Sequence, residues 1–340
     1  MAGRKQMPDA IHLIYGSDDN YWFPTAISAA SAAYGCSKAL VIHLFDAGVS
    51  DAHYAAFESL VMKANPHVVC ERNVLDSRLF TGFGAWRGSV VTYSRMFIQD
   101  ILPDLDWAIY VDGDTLWLGD IAKLWGLRNE SVLILASIDP PMPLGEQHPD
   151  EDWYVKNGID VPRDGYLCMG LMLANLKGMR AFGMSEKIRA FMAKHPKPCI
   201  VDQTVLNCVC RGRLAELPRE WGVFSAWHGT VSLTGDACVH YVDDLPWRRN
   251  KINRLVSDII LVWFVFTERA LGLPLRRKYL TRLGWFVRRY AFLLFKNIQP
   301  MVRANEYVHS RLRNTHGLSD EEWAVIRSRF DKFSKRIDGK

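Results

Sequence analysis

The chain has 340 residues, of which 49% are hydrophobic and 23% are charged. This composition excludes intrinsic disorder, a collagen-like repeat and a coiled coil, and the length predicts a core of roughly 200 to 250 residues with an extension. The net charge of +5 is unevenly distributed, because residues 248–340 hold 21 Lys and Arg against 8 Asp and Glu, whereas residues 1–247 hold 21 against 29. Any contact with a polyanion is therefore expected in the last quarter of the chain.

Short apolar runs alternate with helical patterns in the first half of the chain. Ile11–Tyr15 predicts a strand, and the Ala- and Ser-rich segment Pro24–Tyr34 predicts a helix that packs closely on a sheet. The same patterns predict strands at 39–45, 67–70, 107–111 and 132–136, a helix that Ser50 caps and that runs to about Lys63, and an amphipathic helix at 89–102. Such alternation predicts a mostly parallel, doubly wound α/β sheet that binds its ligands at the carboxyl ends of the strands.

The second half begins with a segment, 137–165, that is rich in Pro and Asp and lacks periodicity. A loop of this length is usually functional, and we interpret it as a lid. A strand at 167–174, a helix reaching about residue 194, a helix at 202–210 and short strands up to His240 are predicted next. Because the character changes after Trp247, we divide the chain into a catalytic domain, 1–247, and a basic, mainly helical extension, 248–340.

Asp112-Gly113-Asp114 follows an apolar strand, with a glycine that would let the backbone turn and both carboxylates point to one side. Two hard oxygen ligands there suit Mg²⁺ or Mn²⁺ on a diphosphate. His240 also ends an apolar stretch and would add an imidazole ligand. The alternative is that the two acids are solvated turn residues and that the histidine is structural.

These residues resemble a known family, glycosyltransferase family 8, which includes bacterial lipopolysaccharide galactosyl- and glucosyltransferases and glycogenin. The segment 110–120, Tyr-Val-Asp-Gly-Asp-Thr-Leu-Trp-Leu-Gly-Asp, is similar to the family's metal motif. Six further blocks occur in the family's order over residues 10–250: 15–21, 45–50, 92–95, 170–176, 202–207, and 240–241 with 246–247. The resemblance implies a GT-A type, Rossmann-like fold.

The resemblance also implies a role for each matching residue. Gly16 belongs to the nucleotide-binding start, where Asp18 and Asn20 would hold the uracil and ribose of a UDP-sugar. Arg95 would touch the donor sugar and diphosphate, and Asp112, Gly113, Asp114 and His240 would form the site of the Mn²⁺ or Mg²⁺ ion. Asp202 would bind donor hydroxyls, Gln203 would lie beneath the anomeric carbon, and Asp139 would face the acceptor. Transfer would retain the anomeric configuration.

Three positions depart from the family pattern. Cys168 stands where the family usually has an Asn that contacts the sugar, and Thr204 replaces an acid that often follows the Asp-Gln pair. The Lys that the family places after the metal-binding His is missing. We expect Arg248 or Arg249 to supply the lost phosphate contact, since a guanidinium suits phosphate oxygens. The alternative is that these arginines only begin the basic tail.

The segment Arg276–Arg303 has eight Lys and Arg, no Asp or Glu, and interleaved aromatic residues. This pattern is typical of an interfacial helix on an anionic membrane surface. The alternatives are a helix packed on the sheet, or RNA binding, although nucleic acid is unlikely as a partner because no RNA-binding module is visible. The longest apolar run of the tail, 259–266, is too short to span a bilayer.

Two functions from different classes remain. The first is a metal-dependent retaining hexosyltransferase that uses a UDP-sugar and a saccharide acceptor, such as a lipopolysaccharide core or another lipid-linked glycan, at the inner face of the cytoplasmic membrane. The second is a catalytically degenerate nucleotide-sugar or carbohydrate-binding protein on the same fold. The N-terminus lacks a signal-peptide pattern and the seven cysteines include no Cys-x-x-Cys pair. Both features favour the cytoplasm.

Overall fold

The computed structural model describes residues 9–84, 89–138, 151–160, 166–196, 198, 200–225, 231–242, 245–247, 258–279 and 318–331. The strands of the described residues are β1 (Ile11–Ser17), β2 (Leu40–Asp46), β3 (Val69–Val74), β4 (Trp107–Val111), β5 (Thr115–Trp117), β6 (Ile134–Ile138), β7 (Leu167–Asn175), β8 (Leu214–Glu216), β9 (Val223–Phe224) and β10 (Cys238–His240). The α-helices are α1 (Trp22–Gly35), α2 (Asp51–Ala64), α3 (Ile98–Ile101), α4 (Ile121–Trp125), α5 (Glu151–Lys156), α6 (Leu176–Phe182), α7 (Met184–Lys194), α8 (Val201–Val209), α9 (Ile259–Arg269), α10 (Arg276–Tyr279) and α11 (Asp320–Asp331).

The central sheet has seven strands in the order β3-β2-β1-β4-β7-β6-β8. Strand β7 runs antiparallel to its neighbours β4 and β6, and every other pair in the sheet is parallel. This arrangement confirms the mostly parallel α/β sheet predicted from the sequence. A second, three-stranded sheet in the order β5-β10-β9 lies at the end of β4. Its position places the end of β10 beside the carboxyl end of β4.

Helix α1 packs closely between the two sheets, as its small residues predict. The hydroxyl of Ser28 lies 2.6 Å from that of Thr115 at the start of β5, and the backbone N–H of Trp117 donates to Ser31 Oγ at 2.9 Å. Side chains longer than Ser or Ala would separate these elements. The composition of α1 thus fixes the distance between β1 and the small sheet.

The prediction of an amphipathic α-helix at 89–102 is wrong in the type of helix. The structure has a 3₁₀ helix at Val91–Phe97, followed by the single turn of α3. Residues three apart lie directly above one another in a 3₁₀ helix. Thr92 and Arg95 therefore project to the same side, and both contact Asp202 of α8. This side of the 3₁₀ helix therefore faces α8.

The core has two parts on opposite faces of the sheet, since neighbouring residues of β1 such as Leu13 and Ile14 belong to different clusters. Helix α9 and the first residues after it share the cluster of α1 and α2, with Trp263 and Phe266 fully buried. Helix α11 covers α9, and the phenol of Tyr34 donates to the carbonyl of Arg329 at 2.8 Å. The described parts of the region after residue 247 are thus packed on the body.

Helix α9 contains the apolar run 259–266. Among the described residues, no helix is long and apolar enough to cross a membrane. The basic segment predicted to lie on a membrane surface is described only as far as Tyr279, and the remainder lies outside the described residues. The division at residue 247 and the membrane contact of the tail therefore stay predictions.

Candidate active site

Two carboxylates and an imidazole meet where β4 ends. The N–H of Asp112 donates to Gly170 O of β7 at 2.8 Å, so the first acid is fixed to the edge of the sheet. Strand β10 pairs antiparallel with β5 and places His240 opposite Thr115, next to Asp114. The Nε2 atom of His240 lies 3.2 Å from Asp114 Oδ1 and 3.9 Å from Asp112 Oδ2. The structure therefore brings together the three residues that the sequence nominates as metal ligands.

Burial makes the protonation states of this cluster interdependent. Burial raises the pKa of Asp112 to about 6, and the nearby Asp114 carboxylate adds to the shift while Arg95 opposes it. Burial also opposes ionisation of Asp114, but the adjacent His240 outweighs it and lowers the pKa of that carboxyl. Burial alone would lower the pKa of His240, yet Asp114 raises it well above its ordinary value. The cluster holds negative charge that a cation would balance.

The donor set fits a divalent metal ion. One ligand atom from each of Asp112, Asp114 and His240 lies within 4.8 Å of the other two, so a single ion can reach all three. Mn²⁺ binds both carboxylate oxygens and imidazole nitrogens, whereas Mg²⁺ prefers the oxygens. A Cβ atom at Gly170 would overlap His240 Cε1 and lie 3.0 Å from Asp112 Oδ2. Glycine at this place keeps room for the ligand side chains.

Gly113, between the two acids, has a different role from the one the sequence suggested. Its backbone is not among those with a positive φ, so no left-handed turn requires a glycine there. A Cβ atom at Gly113 would instead overlap Thr25 Oγ1 of α1. The residue is needed for the close approach of α1 to the metal motif.

Arg95 joins the metal motif to helix α8. Its Nη2 lies 2.5 Å from Asp112 Oδ1, its Nε lies 3.0 Å from Asp202 Oδ2, and its Nη1 donates to Met169 O at 2.8 Å. The guanidinium also stands over the ring of Tyr110, 4.7 Å from its centre. Burial disfavours the charge, but the two carboxylates raise the pKa of Arg95 well above its ordinary value. A permanently charged, buried cation therefore fixes both acids.

Asp202 and Gln203 lie in the first turn of α8, and both are buried. Asp202 accepts a hydrogen bond from the Thr92 hydroxyl at 2.9 Å in addition to its contact with Arg95. The Oε1 atom of Gln203 accepts from the N–H of Met169 on β7 at 3.3 Å, which orients the amide. The sequence singled out Arg95 and Asp202 but not Thr92. The three-residue spacing of Thr92 and Arg95 was the available signal.

The nucleotide-binding loop predicted after β1 lies beside this cluster. Asp18 is partly exposed, and its Oδ1 accepts from the backbone N–H groups of Asn20 and Tyr21 at 3.0 and 3.1 Å. The phenol of Tyr21 reaches Asp114 Oδ2 at 3.4 Å. A Cβ atom at Gly16 would lie 2.9 Å from Val91 Cγ2. Tyr21, which the sequence analysis did not propose as a site residue, thus links the loop to the metal motif.

The structure describes two of the three positions that depart from the family pattern. Cys168 is buried on β7 next to His240, whose pKa its thiol helps to raise. Thr204 is fully buried, its hydroxyl lies 3.1 Å from that of Tyr166, and it accepts from the N–H of Ile200 at 3.3 Å. Thr204 therefore stabilises the start of α8.

Asp139, Arg248 and Arg249 lie outside the described residues. Their predicted contacts, with the acceptor for Asp139 and with the donor's diphosphate for the two arginines, stay predictions.

Comparison with known proteins places the chain among sugar-transferring enzymes. Residues 12–251 match the sequence profile of Glycosyl transferase family 8. The chain is 26% identical over 223 residues to General stress protein A of Bacillus subtilis, covering 63% of this chain and 73% of that protein. It is 22% identical over 209 residues to a protein of Haemophilus influenzae described as a putative glycosyltransferase, covering 60% of each.

Two solved structures show the same fold. The galactosyltransferase LgtC, in complex with donor and acceptor sugar analogues, superposes with a TM-score of 0.62 at 21% identity, covering 77% of this chain and 96% of LgtC. The bifunctional glycosyltransferase WbbM superposes with a TM-score of 0.63 at 22% identity, covering 80% of this chain and 51% of WbbM. The likeness confirms the predicted GT-A fold.

Proposed function

Because the chain belongs to Glycosyl transferase family 8, and is therefore a glycosyltransferase, we propose that it moves a hexosyl unit from a UDP-sugar to a saccharide acceptor. The donor's anomeric configuration is retained, and the reaction depends on Mn²⁺ or Mg²⁺. The carrying observation is the cluster of Asp112, Asp114 and His240 at the carboxyl end of β4, beside the loop that follows β1. Open α/β sheets bind nucleotides at this kind of edge.

The cluster's role follows from the charges of the reaction. Breaking the bond between sugar and phosphate leaves negative charge on UDP and positive character on the sugar ring. Asp112, Asp114 and His240 would hold the divalent ion, which supplies positive charge for the leaving diphosphate. Charge that is fixed before the reaction stabilises the transition state more than the ground state. The cluster, in which His240 is buried and the two acids are half-buried, provides such a fixed arrangement.

Arg95, Asp202 and Gln203 would position the donor sugar. Arg95 forms an ion pair with the carboxylate of Asp202, and the Met169 N–H donates to the Gln203 amide oxygen, so neither the carboxylate nor the amide has to reorganise during the reaction. With retention, the hydroxyl attacks from the side on which UDP leaves. The departing phosphate oxygen then takes the hydroxyl proton, and no carboxylate base is needed.

The acceptor and the cellular location are inferred from a related structure and from the basic tail. LgtC was solved with donor and acceptor sugar analogues, which supports a saccharide acceptor here. The basic and aromatic segment Arg276–Arg303 supports a lipid-linked acceptor, such as a lipopolysaccharide core, at the inner face of the cytoplasmic membrane. Asp139 would face this acceptor, and Arg248 would contact the donor's diphosphate.

The decisive experiment is a donor panel. UDP-glucose, UDP-galactose and UDP-galacturonate are incubated with the full chain and Mn²⁺, with and without a chelator, and released UDP is measured. We expect release from one donor that the chelator abolishes, and an α-linked product by NMR when a saccharide acceptor is present. Release that is insensitive to chelation would overturn the metal's role. Binding of a donor without any release would favour the degenerate binding protein instead.

Metal affinity is expected to rise with pH between about pH 5 and 8. Asp112, with its pKa raised to about 6, is protonated below that pH, and His240 has a raised pKa and stays protonated to higher pH. Both groups must lose their protons to bind a metal, whereas Asp114, with its lowered pKa, is already ionised. Each displaced proton weakens binding about tenfold for each pH unit below its pKa.

Calorimetric titration with Mn²⁺ in buffers of different ionisation enthalpy measures this dependence. Proton release above one per ion near pH 6 is expected for the unmodified chain and less for His240→Gln. A Mn²⁺ affinity that does not vary from pH 5 to 8 would contradict the assignment.

The substitution Gly170→Ala is expected to lower turnover about 100-fold and to weaken Mn²⁺ binding. The new methyl group overlaps the His240 ring and crowds Asp112, so the ligand atoms must shift, and displacements near 1 Å commonly have effects of this size. Gly235→Ala is the matched control, because a Cβ atom there meets nothing within 4 Å. Wild-type Mn²⁺ affinity in Gly170→Ala would show that the ligands do not depend on this space.

A further inference from the structure

An open groove of about 520 Å³ lies between helices α7 and α8. Its apolar part includes Phe182, Phe191 and Val209, which are only half-buried and so leave apolar surface accessible. Its basic part consists of Lys187, Lys194 and Arg211, all exposed. The groove meets the end of α8 that is opposite to Asp202 and Gln203, roughly 9 Å further along the helix axis. It is therefore separate from the candidate active site.

The charge around the groove is opposite to that of the rest of the body. The three segments that line the groove, 151–160, 176–195 and 208–213, together carry eight Lys and Arg against four Asp and Glu, although residues 1–247 have an excess of eight acids. Arg211 pairs with Asp160 at 3.6 Å, and both side chains are largely exposed. Among the described residues, neither Lys187 nor Lys194 has an acidic partner. Positive charge is thus available beside an apolar surface.

Two cations lie directly beside the Phe182 ring, an arrangement that favours a ligand with both an apolar and an anionic part. The Nζ of Lys187 lies 4.9 Å from the centre of the Phe182 ring, so the cation borders the apolar surface directly. The guanidinium of Arg213 approaches the same ring, also at 4.9 Å. A basic segment of this chain would be repelled, and a neutral amphiphile would leave the cations without a counter-charge.

We propose that this groove binds an anionic phospholipid of a bilayer. The acyl chain lies on Phe182, Phe191 and Val209, and the phosphate is held by Lys187 and Lys194. The apolar contact supplies affinity by removing the exposed ring surface from water, and the cations supply selection for a negative headgroup. The groove fixes one face of the body on the membrane, independently of the basic segment after Tyr279 and of the proposed donor.

The test uses the full chain and a short-chain phosphatidylglycerol with a photoreactive acyl group, below its micelle-forming concentration. Calorimetric titration is expected to show one bound lipid per chain, and crosslinking is expected to label peptides within 182–211. The double variant Lys187→Glu/Lys194→Glu is expected to weaken binding about 30-fold or more, since each basic residue near an anionic surface contributes about fivefold. Ala190→Trp, at an exposed position that lines the groove, is expected to block binding without a change of charge.

The matched control is Lys38→Glu/Lys63→Glu, which changes the net charge equally at exposed positions outside the groove and outside the basic segments around it. Wild-type affinity in this control supports a local site. Three results would overturn the proposal: equal weakening in the control, crosslinks elsewhere in the chain, or equal binding of the matching phosphatidylcholine. Melting curves identify any variant that fails to fold. If the charge-reversal variant fails to fold, the binding of Ala190→Trp decides the test. Displacement of the lipid by an acidic peptide at lower concentration would assign the groove to a protein partner instead.

Discussion

Replacing Asp112 or Asp114 by Asn is expected to lower sugar transfer by about 10³-fold while the protein stays folded. The loss of one anionic ligand weakens binding of the divalent ion that would supply positive charge to the leaving diphosphate. Removal of such stabilisation commonly has an effect of this order. The fold survives because an Asn at 112 keeps an oxygen acceptor for Arg95. UDP release and thermal melting, measured on the same samples, check both halves of the prediction.

Asp120→Asn is the control for these two variants. It makes the same chemical change in the same motif, but Asp120 caps α4 by accepting from the N–H of Ala122, and Asn caps a helix equally well. Its turnover is expected to equal that of the unmodified chain. Near-normal turnover in Asp112→Asn or Asp114→Asn would remove that residue from the proposed metal site.

Arg95→Met is expected to reduce the free energy of unfolding by about 3–5 kcal/mol as well as to abolish transfer. The substitution removes the cation between two carboxylates and leaves buried negative charge without a partner. Denaturant unfolding measures the stability, and UDP release measures the activity. Arg78→Met is the contrasting variant, because Arg78 pairs with Asp76 on the surface, where its side chain is 88% exposed. Its unfolding midpoint is expected to stay nearly unchanged.

A double-variant cycle separates the structural role of Arg95 from its role in the reaction. Asp202→Asn removes one of the two unpaired charges that Arg95→Met leaves, so the double variant is expected to be more stable than Arg95→Met alone. Activity is expected to stay absent in the double variant. Additive losses of stability would show that Arg95 and Asp202 do not interact as their 3.0 Å distance indicates.

The sequence predicted the strands of the central sheet and the residues at their ends because these depend on local patterns. Apolar runs of five residues between turn signals, such as Trp107–Val111, have the length of a strand and are too short for a typical helix. The acids that follow β4 must then lie at its carboxyl end. The pairing of His240 with Thr115 could not be read in this way, since it depends on β5 and β10, strands of three residues each that lie more than 100 residues apart. Family resemblance supplied what the pattern lacked.

The residues that the sequence analysis missed or misinterpreted share one cause. The contact of Thr92 depends on Asp202, the need for Gly113 depends on Thr25, and the contact of Tyr21 depends on Asp114. Each is set by a partner distant in the sequence, which no window of neighbouring residues contains. The burial of the apolar run 259–266 likewise depends on distant residues, because Phe266 packs against Tyr34 and Phe330.

The covering of α1 by the last described helix also sets the order of events during synthesis. The hydrogen bond from Tyr34 to Arg329 joins residues 295 positions apart, and the rings of Tyr34, Phe266 and Phe330 contact one another. At about 5–20 residues per second, a ribosome needs roughly 15 to 60 seconds to make the chain between them. Throughout that interval Tyr34 lacks its contacts with α11, so the packing around this end of α1 is completed only after residue 330 has emerged.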